Sequence, residues 1–573
     1  MPGGLLNIIA YGNQNIILNG NPKKTFFKSV YAKYTNFGVQ KFRIDYNGSR
    51  DIDPLTDSIY TFKIPRNAEL LLDTYLVFDI PNIWSTILPP LVPGDIWKPY
   101  HFRWIDNLGT SMIKTVRVTI GNKIIQEYPG EYIRCMAERD YSEEKKKMFN
   151  EMIGNTIELT QPEYYGGNRN NNYPNTFFSP DIAGQEPSIR SRKIYVPLNP
   201  WFMTNPKMAF PLVSLQYSEL VIEVVLRPLR EMFTINNIQT VDDDLINTEL
   251  DYSVKLNNLY SKTQPNFTND RHNLYRFLQP PPTIALTRAD YSDYTSNWKA
   301  DVHLITNYAF LTAEESKIFA LNEQKYLMKE IKHSVYYDIV GTRKIKINTN
   351  ALVSGWLWYY RRSDVNKRNE WSNYTNWETK IIPYKLLQSE SATPYTISNG
   401  NSEQIGPARD YEANDGVSGL TTYATNHKVT PTFSLEYTKY ILQKFSIIID
   451  GKNRENEFDA GVYNYIENYR TTKVSSNSGI YTYNFTLDTS NYLQPSGAIN
   501  MNRFKNIEFE MTTLIPNLDP EVENLVLCDE NGDVIGVTKN EPLYLYTYEF
   551  HLFEERYNIL RFISGNAGLM FAH

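Results

Sequence analysis

Apolar and polar residues alternate along short stretches of this chain, and few segments show the three-to-four-residue spacing of a helix. Val116, Val118 and Ile120 fall on one side of an extended segment, with Arg117 and Thr119 on the other. Tyr481, Tyr483, Phe485 and Leu487 alternate in the same way with Ile480, Thr482, Asn484 and Thr486. A period of two predicts strands that cover one face of a core. Strand-like segments also span 59–64, 74–80, 115–120 and 220–226, each between turn signals. Asp450-Gly451, and Asn531-Gly532 between Leu525-Val526-Leu527 and Val534-Ile535, predict hairpins, because these dipeptides tolerate the positive φ of tight primed turns. Helix signals are few. Thr312 with Glu315 forms a capping box ahead of Ile318, Phe319 and Leu321, and Ser142 before Glu143 and Glu144 starts a short helix through Met152.

The strand pattern is written twice. Arg192-Lys193-Ile194-Tyr195-Val196-Pro197-Leu198 leads through a turn to Leu220-Val221-Ile222-Glu223-Val224-Val225-Leu226; Ser478-Gly479-Ile480-Tyr481-Thr482-Tyr483 leads through Pro495-Ser496-Gly497 to Asn506-Ile507-Glu508-Phe509-Glu510-Met511. Tyr195 and Tyr481, Pro211 and Pro495, and Ile222 and Ile507 are all separated by about 285 residues, which predicts two similar β units in one chain. A strand-turn-strand cassette, Val116 to Lys123, recurs as Phe445 to Lys452 at an offset of about 330, so the first unit carries about 44 additional residues before its second cassette.

The 573 residues accommodate two large β domains, and the 43 tyrosines suit pleated, half-buried surfaces. No stretch reaches the apolar length of a membrane span, and Met1-Pro2-Gly3-Gly4 lacks the charged start of a signal peptide. Cys135 and Cys528 are too few for a disulfide framework and read as isolated thiols in a reducing cytoplasm. Net charge is −6, unevenly spread. Residues 1–50 hold Lys23, Lys24, Lys28, Lys33, Lys41, Arg43 and Arg50 against the single acid Asp45, leaving an acidic remainder that argues against direct nucleic-acid coating. The basic start could meet an acidic partner or a lipid headgroup layer, or form a solvated arm. Polar stretches at 168–174, 231–283 and 361–430 read as long loops or linkers.

Chemistry is sparse. His101, His272, His303, His333, His427, His551 and His573 are scattered, without the HxH, HExxH or CxxC spacing of a metal site, so a metal-dependent cupin reads poorly. No GxSxG, GxxxxGK[ST] or GxGxxG motif occurs. The expectation is no catalytic, cofactor-binding or metal residue, no cofactor and no enzyme activity. Asp242-Asp243-Asp244 and Asp529-Glu530-Asn531-Gly532-Asp533 read as solvated acidic turns in preference to calcium loops. Trp356, Trp358, Tyr359, Tyr360, Trp371 and Trp377 could stack sugars as in a β-sandwich lectin, but Trp356 and Trp358 share one strand face and read as core. Sequons stand at Asn47, Asn266, Asn373 and Asn484.

In order along the chain come Gly20-Asn21-Pro22-Lys23-Lys24-Thr25-Phe26-Phe27-Lys28-Ser29-Val30-Tyr31, Ile64-Pro65-Arg66-Asn67, Ile120-Gly121-Asn122, Pro197-Leu198-Asn199-Pro200-Trp201-Phe202 and Pro211-Leu212-Val213-Ser214-Leu215-Gln216-Tyr217. The second half adds Asn307-Tyr308-Ala309-Phe310-Leu311, Asp450-Gly451-Lys452-Asn453-Arg454, Pro495-Ser496-Gly497-Ala498-Ile499-Asn500 and Gly565-Asn566-Ala567-Gly568-Leu569. This series resembles the major capsid proteins of nucleocytoplasmic large DNA viruses, the double jelly-roll family, and departs from its pattern at Lys207, Ser218 and Ser316. The resemblance implies an all-β chain of two tandem eight-stranded jelly rolls with a few short helices and long loops. It implies an N-terminal arm at 1–25, a first jelly roll at 26–262, a linker at 263–300 and a second jelly roll at 301–573. It further implies a homotrimeric, pseudo-hexagonal capsomer that tiles an icosahedral shell, with neighbouring capsomers, minor capsid proteins and an internal membrane as partners. Such a protein is made in host cytoplasm and resides in the virion. The alternative is a carbohydrate-binding β-sandwich on a virion surface.

Overall fold

The computed structural model describes residues 3–9, 12–88, 98–163, 173–178, 184–236, 262–283, 286–378, 395–398, 402–405, 439–472, 479–539 and 542–571. Its first half is built from β1 (Phe37–Asp45), β2 (Ser58–Lys63), β3 (Leu70–Ile80), β4 (Ile113–Ile120), β5 (Lys123–Tyr128), β6 (Arg192–Pro197), β7 (Leu220–Leu226) and β8 (His303–Leu311). The second half repeats them as β9 (Gln324–Ile339), β10 (Thr342–Lys346), β11 (Leu352–Arg362), β12 (Leu442–Ile449), β13 (Lys452–Asp459), β14 (Ile480–Asn484), β15 (Ile507–Thr513) and β16 (Tyr548–Ile563). One sheet of each half runs β1-β8-β3-β6 or β9-β16-β11-β14; the other runs β2-β7-β4-β5 or β10-β15-β12-β13. All these pairings are antiparallel, and the two halves share one topology: two jelly rolls in tandem.

The alternation anticipated in sequence sets the cores. β7 and β15 each bury every second side chain, and Ile222 and Phe509 point into their respective interiors. The β4–β5 hairpin turns at Gly121-Asn122 and the β12–β13 hairpin at Asp450-Gly451, with all four residues at positive φ, as a type I′ turn requires. Asn531-Gly532 sits in a wider loop. There Asn524–Cys528 pairs with Val534–Lys539, and the Asp529 carboxylate accepts hydrogen bonds from the Asn531 and Asp533 amides, so Gly532 alone adopts positive φ. Both capped helices form, with Ser142 accepting from the Lys145 amide and Thr312 from the Glu315 amide. The helix Gly130–Asp140, here α1, carries no such signal and was not anticipated; α2 is Glu143–Met152 and α3 is Ala313–Leu321.

The expected boundaries need correction. β8 inserts between β1 and β3, pairing Thr306 with both Phe42 and Thr74, so residues 303–311 complete the first roll and the second begins beyond Leu311. Residues 263–300 are not a free linker: Leu274, Tyr275 and Phe277 are buried in the first core, and Trp298 donates its indole N–H to the Asp79 carbonyl at 2.7 Å. The polar, proline-rich character of this stretch resembles a linker, but the last strand can enter mid-sheet only after a long surface crossing. The exposed arm in turn reaches past residue 25, since Phe26, Phe27, Tyr31 and Tyr34 all lie outside the core.

Because successive strands run antiparallel, the long connections 81–112, 129–191 and 227–302 of the first roll emerge at one end, as do 363–441, 460–479 and 514–547 of the second. The hairpin turns Gly121-Asn122, Asp450-Gly451 and Ser564-Gly565, the chain start and α3 gather at the other end. There the Gly565 carbonyl accepts from the Gln216 and Tyr217 amides, and the Ser214 hydroxyl donates to the Phe319 carbonyl.

Candidate assembly surfaces

In the sheet β9-β16-β11-β14 the inner strands β11 and β16 are buried on both faces, while the edge strand β9 is largely half-buried or exposed. Trp356, Trp358, Tyr360, Phe550 and Leu552 point into the second core, while Leu357, Tyr359 and Phe553 pack against the first roll. Helix α1 fills the seam between the rolls. Glu555 is its electrostatic centre, accepting from Tyr132 Oη at 2.9 Å, Arg139 Nη2 at 2.7 Å and Lys329 Nζ at 3.0 Å. Burial alone would raise the Glu555 carboxyl, yet the adjacent Arg139 and Lys329 charges hold it at about 2. Asp140 extends the network to Arg139, Thr489 and Tyr492.

A second cluster lies at the mouth of a cleft of about 400 Å³ that includes Glu131, Arg227, His333, Tyr359, Arg361 and His551. Arg227 binds Glu131 at 2.9 Å, Arg361 binds Glu549 at 2.9 Å, and the Trp371 ring lies 4.3 Å from the Arg227 guanidinium and 5.5 Å from that of Arg361. Residues 369–372, part of the stretch expected to be a long loop, clasp the first roll here: Asn369 donates to the Arg230 and Phe233 carbonyls, and Trp371 to the Glu231 carbonyl. Sequence spacing concealed this site. His333 and His551 are far apart in the chain, yet β9 pairs with β16 and brings their ring nitrogens to 3.1 Å.

Burial, reinforced by Arg361, pushes both imidazoles below their ordinary range, and the neighbouring His551 helps to lower His333 to about 4. Burial likewise lowers His272 to about 4 and His101 to about 3. His272 Nδ1 accepts from the Asn266 amide at 3.0 Å, a bond that the protonated ring cannot make. Glu549 Oε2 lies 3.3 Å from His551 Nε2 and favours its protonated form, but Arg361 shares that carboxylate, and burial together with the Arg361 charge outweighs it. A histidine whose folded pKa lies below the unfolded value contributes stability above about pH 6.5 and loses it as pH falls through the folded value. Thermal melts should therefore fall progressively between about pH 6.5 and about pH 4, and His333→Phe should flatten that decline. A pH-independent melting temperature across this window would contradict the buried-histidine account.

Of the aromatic group proposed for sugar stacking, Trp356, Trp358, Tyr359, Tyr360 and Trp371 are buried and Trp377 is half-buried, so it builds no exposed platform. Asn373 and Asn484 are buried sequons, whereas Asn47 and Asn266 are exposed. Asp242-Asp243-Asp244 lies outside the described residues. Among the described residues no group of three or more His, Cys, Asp or Glu side chains could hold a metal ion. Cys135 is buried and its thiol is pushed up to about 12, while Cys528 is exposed.

Sequence and structure comparisons agree with this architecture. The pattern of the major capsid protein N-terminus matches residues 25–261, and that of the large eukaryotic DNA virus major capsid protein matches residues 315–568. The chain is 24% identical to a major capsid protein of Phaeocystis pouchetii virus and 21% identical to that of Paramecium bursaria Chlorella virus 1, with 100% of each chain covered in both cases. In structure it is similar to a chain of the PBCV-1 virus capsid, with a TM-score of 0.57 at 16% identity over 96% of this chain and 100% of that one. The Faustovirus major capsid protein gives a TM-score of 0.56 at 13% identity, over 98% and 96%.

Proposed function

From the premise that this chain belongs to the large eukaryotic DNA virus major capsid protein family, and is thus a structural protein of the virion shell, we propose that three copies form a pseudo-hexagonal capsomer. The observation that carries this reading is the shared topology of the two rolls: three chains present six similar lobes, and a threefold particle can then occupy a hexagonal lattice site. The rolls correspond to residues 37–311 and 324–571, joined through α3. Capsomers assemble with one another and with minor capsid proteins in host cytoplasm.

The two ends have different roles in this reading. The long connections face outward, and the end bearing the arm faces the particle interior. The arm is suited to an inner contact, because Leu18, Phe26, Phe27 and Tyr34 are exposed beside Lys23, Lys24, Lys28 and Lys33, and Asp45 is the first acid in the chain. An acidic minor capsid protein or the surface of an internal membrane would satisfy both properties.

Native mass measurement of the purified protein should give three times the 66.7 kDa chain, with six-lobed outlines in negative stain. Deleting residues 1–36, up to the start of β1, should leave that trimer intact and impair shell assembly. A monomeric full-length protein sinks the capsomer reading, and unaltered particle yield from the deletion sinks the role of the arm.

A further inference from the structure

The contact between the two rolls of one chain is a template for a contact between chains. Helix α1 follows the fifth strand of the first roll, and the helical stretch Val462–Ile466 and Glu467–Thr471 follows the fifth strand of the second. The offset of about 330 residues between the two hairpins that precede these helices matches Ile133 to Tyr463, and both are buried. The α1 side chains Tyr132, Cys135, Met136 and Arg139 then correspond to Val462, Tyr465, Ile466 and Tyr469. The first set is sealed against the second roll, with Cys135 at 0% and Arg139 at 1% exposure; in the second set Tyr465 is 60%, Ile466 59% and Tyr469 92% exposed. Two adjacent tyrosines and an isoleucine in open solvent on one helix face signal a missing partner surface.

The surface that α1 covers has its own counterpart. β3 and β11 have the same length and the same neighbours, and Val77 pairs with His303 as Tyr359 pairs with His551. In this register Ile305 takes the place of Phe553, Asn307 of Glu555 and Val39 of Lys329. Glu555 receives three donors, whereas the Asn307 side-chain oxygen has no hydrogen-bond partner among the described residues. Along the β1 edge, Phe37 and Val39 are exposed, and no strand pairs with the outer side of β1 among the described residues.

Charge supports the same match. Within the chain, β5 lies against β9, and Gln126 Nε2 donates to the Lys329 carbonyl at 3.0 Å. The turn-aligned counterpart of Gln126 is Glu455, in a strand where Glu455, Glu457 and Asp459 outnumber Lys452 and Arg454, and the counterpart of β9 is β1, where Lys41 and Arg43 outnumber Asp45 and an acid-free segment precedes.

We infer that the helical face formed by Tyr465, Ile466 and Tyr469 docks on the outer face of sheet β1-β8-β3-β6 in a second copy of this chain, placing β13 of one copy beside β1 of the next. Each copy offers one helix face and one sheet face. The contact is therefore heterologous, and with two lobes per chain it closes on three copies. The inference rests on the capsomer reading and assigns its interface.

Two measurements test it. Tyr465→Glu with Tyr469→Glu places charges where the isolated chain is solvated, so the chain should fold with an unchanged circular-dichroism spectrum, while the trimer should dissociate at a protein concentration at least about tenfold higher than the wild type. In a Cys528→Ser background, Val39→Cys with Glu455→Cys should be joined between chains by a short bismaleimide, yielding covalent trimers on a denaturing gel. A double-Glu variant as trimeric as the wild type overturns the interface, as does a trimer that forms no inter-chain cross-link. A wild-type chain that is not trimeric at all instead removes the capsomer reading, and this interface with it.

Discussion

Phe509→Asp should yield no soluble trimer. Phe509 is fully buried in β15, and its ring centroid lies 4.9 Å from Trp356 and 5.2 Å from Phe445. Deleting a buried phenylalanine side chain costs about 3–5 kcal/mol, and an unpaired carboxylate in its place adds several more. A domain is stable by only about 5–15 kcal/mol, so the second roll should not fold. Ile222→Asp places the same charge in β7 of the first roll, where Ile222 is equally buried, and should have the same outcome. Phe509→Leu keeps an apolar side chain and should retain trimer at reduced stability. Soluble yield and native mass read all three, and wild-type-like trimer from either Asp variant would refute the core assignment.

The second large effect is expected in the seam. Glu555→Ala leaves the buried Lys329 without its carboxylate, and the buried Arg139 with Asp140 alone. Breaking a buried pair from one side costs about 3–5 kcal/mol, because the desolvated partner charge persists. At roughly 2–4 °C per kcal/mol for a domain of this size, the melting temperature should fall by about 10 °C. Replacing Glu555 and Lys329 together by Met removes both charges and leaves the Arg139–Asp140 pair intact, so it should recover most of the loss. Denaturation curves of the two variants separate these cases. A Glu555→Ala protein with wild-type stability would show that the network carries no net energy.

Much of the fold was legible because its determinants are local. The period-two patterns of β7 and β15, the positive-φ turn at Asp450-Gly451 and the caps at Ser142 and Thr312 each depend on a few neighbouring residues. The duplication was legible for the same reason, since equivalent strands meet equivalent local demands. Helix α1 escaped notice because Pro129 precedes it with no capping side chain and because its polar residues Glu131, Arg134 and Arg139 are themselves buried. The seam was equally hidden: Glu555 meets Tyr132 and Arg139 across hundreds of residues, and an isolated Glu in a strand reads as solvent-facing until a second roll covers it.

What the linear pattern by itself determined was that the chain is all-β, is built twice, and lacks the spacing of a metal or nucleotide site. Only the tertiary structure decided that residues 303–311 return to complete the first roll and that Tyr359 and Phe553, on the opposite sheet face from Trp356 and Trp358, are buried against the first roll. It also decided which helix face is sealed in one roll and open in the other. The physical reason is that strand identity follows from alternation within a few residues, whereas strand order, burial of a sheet's second face and pairing of buried charges depend on contacts between distant segments.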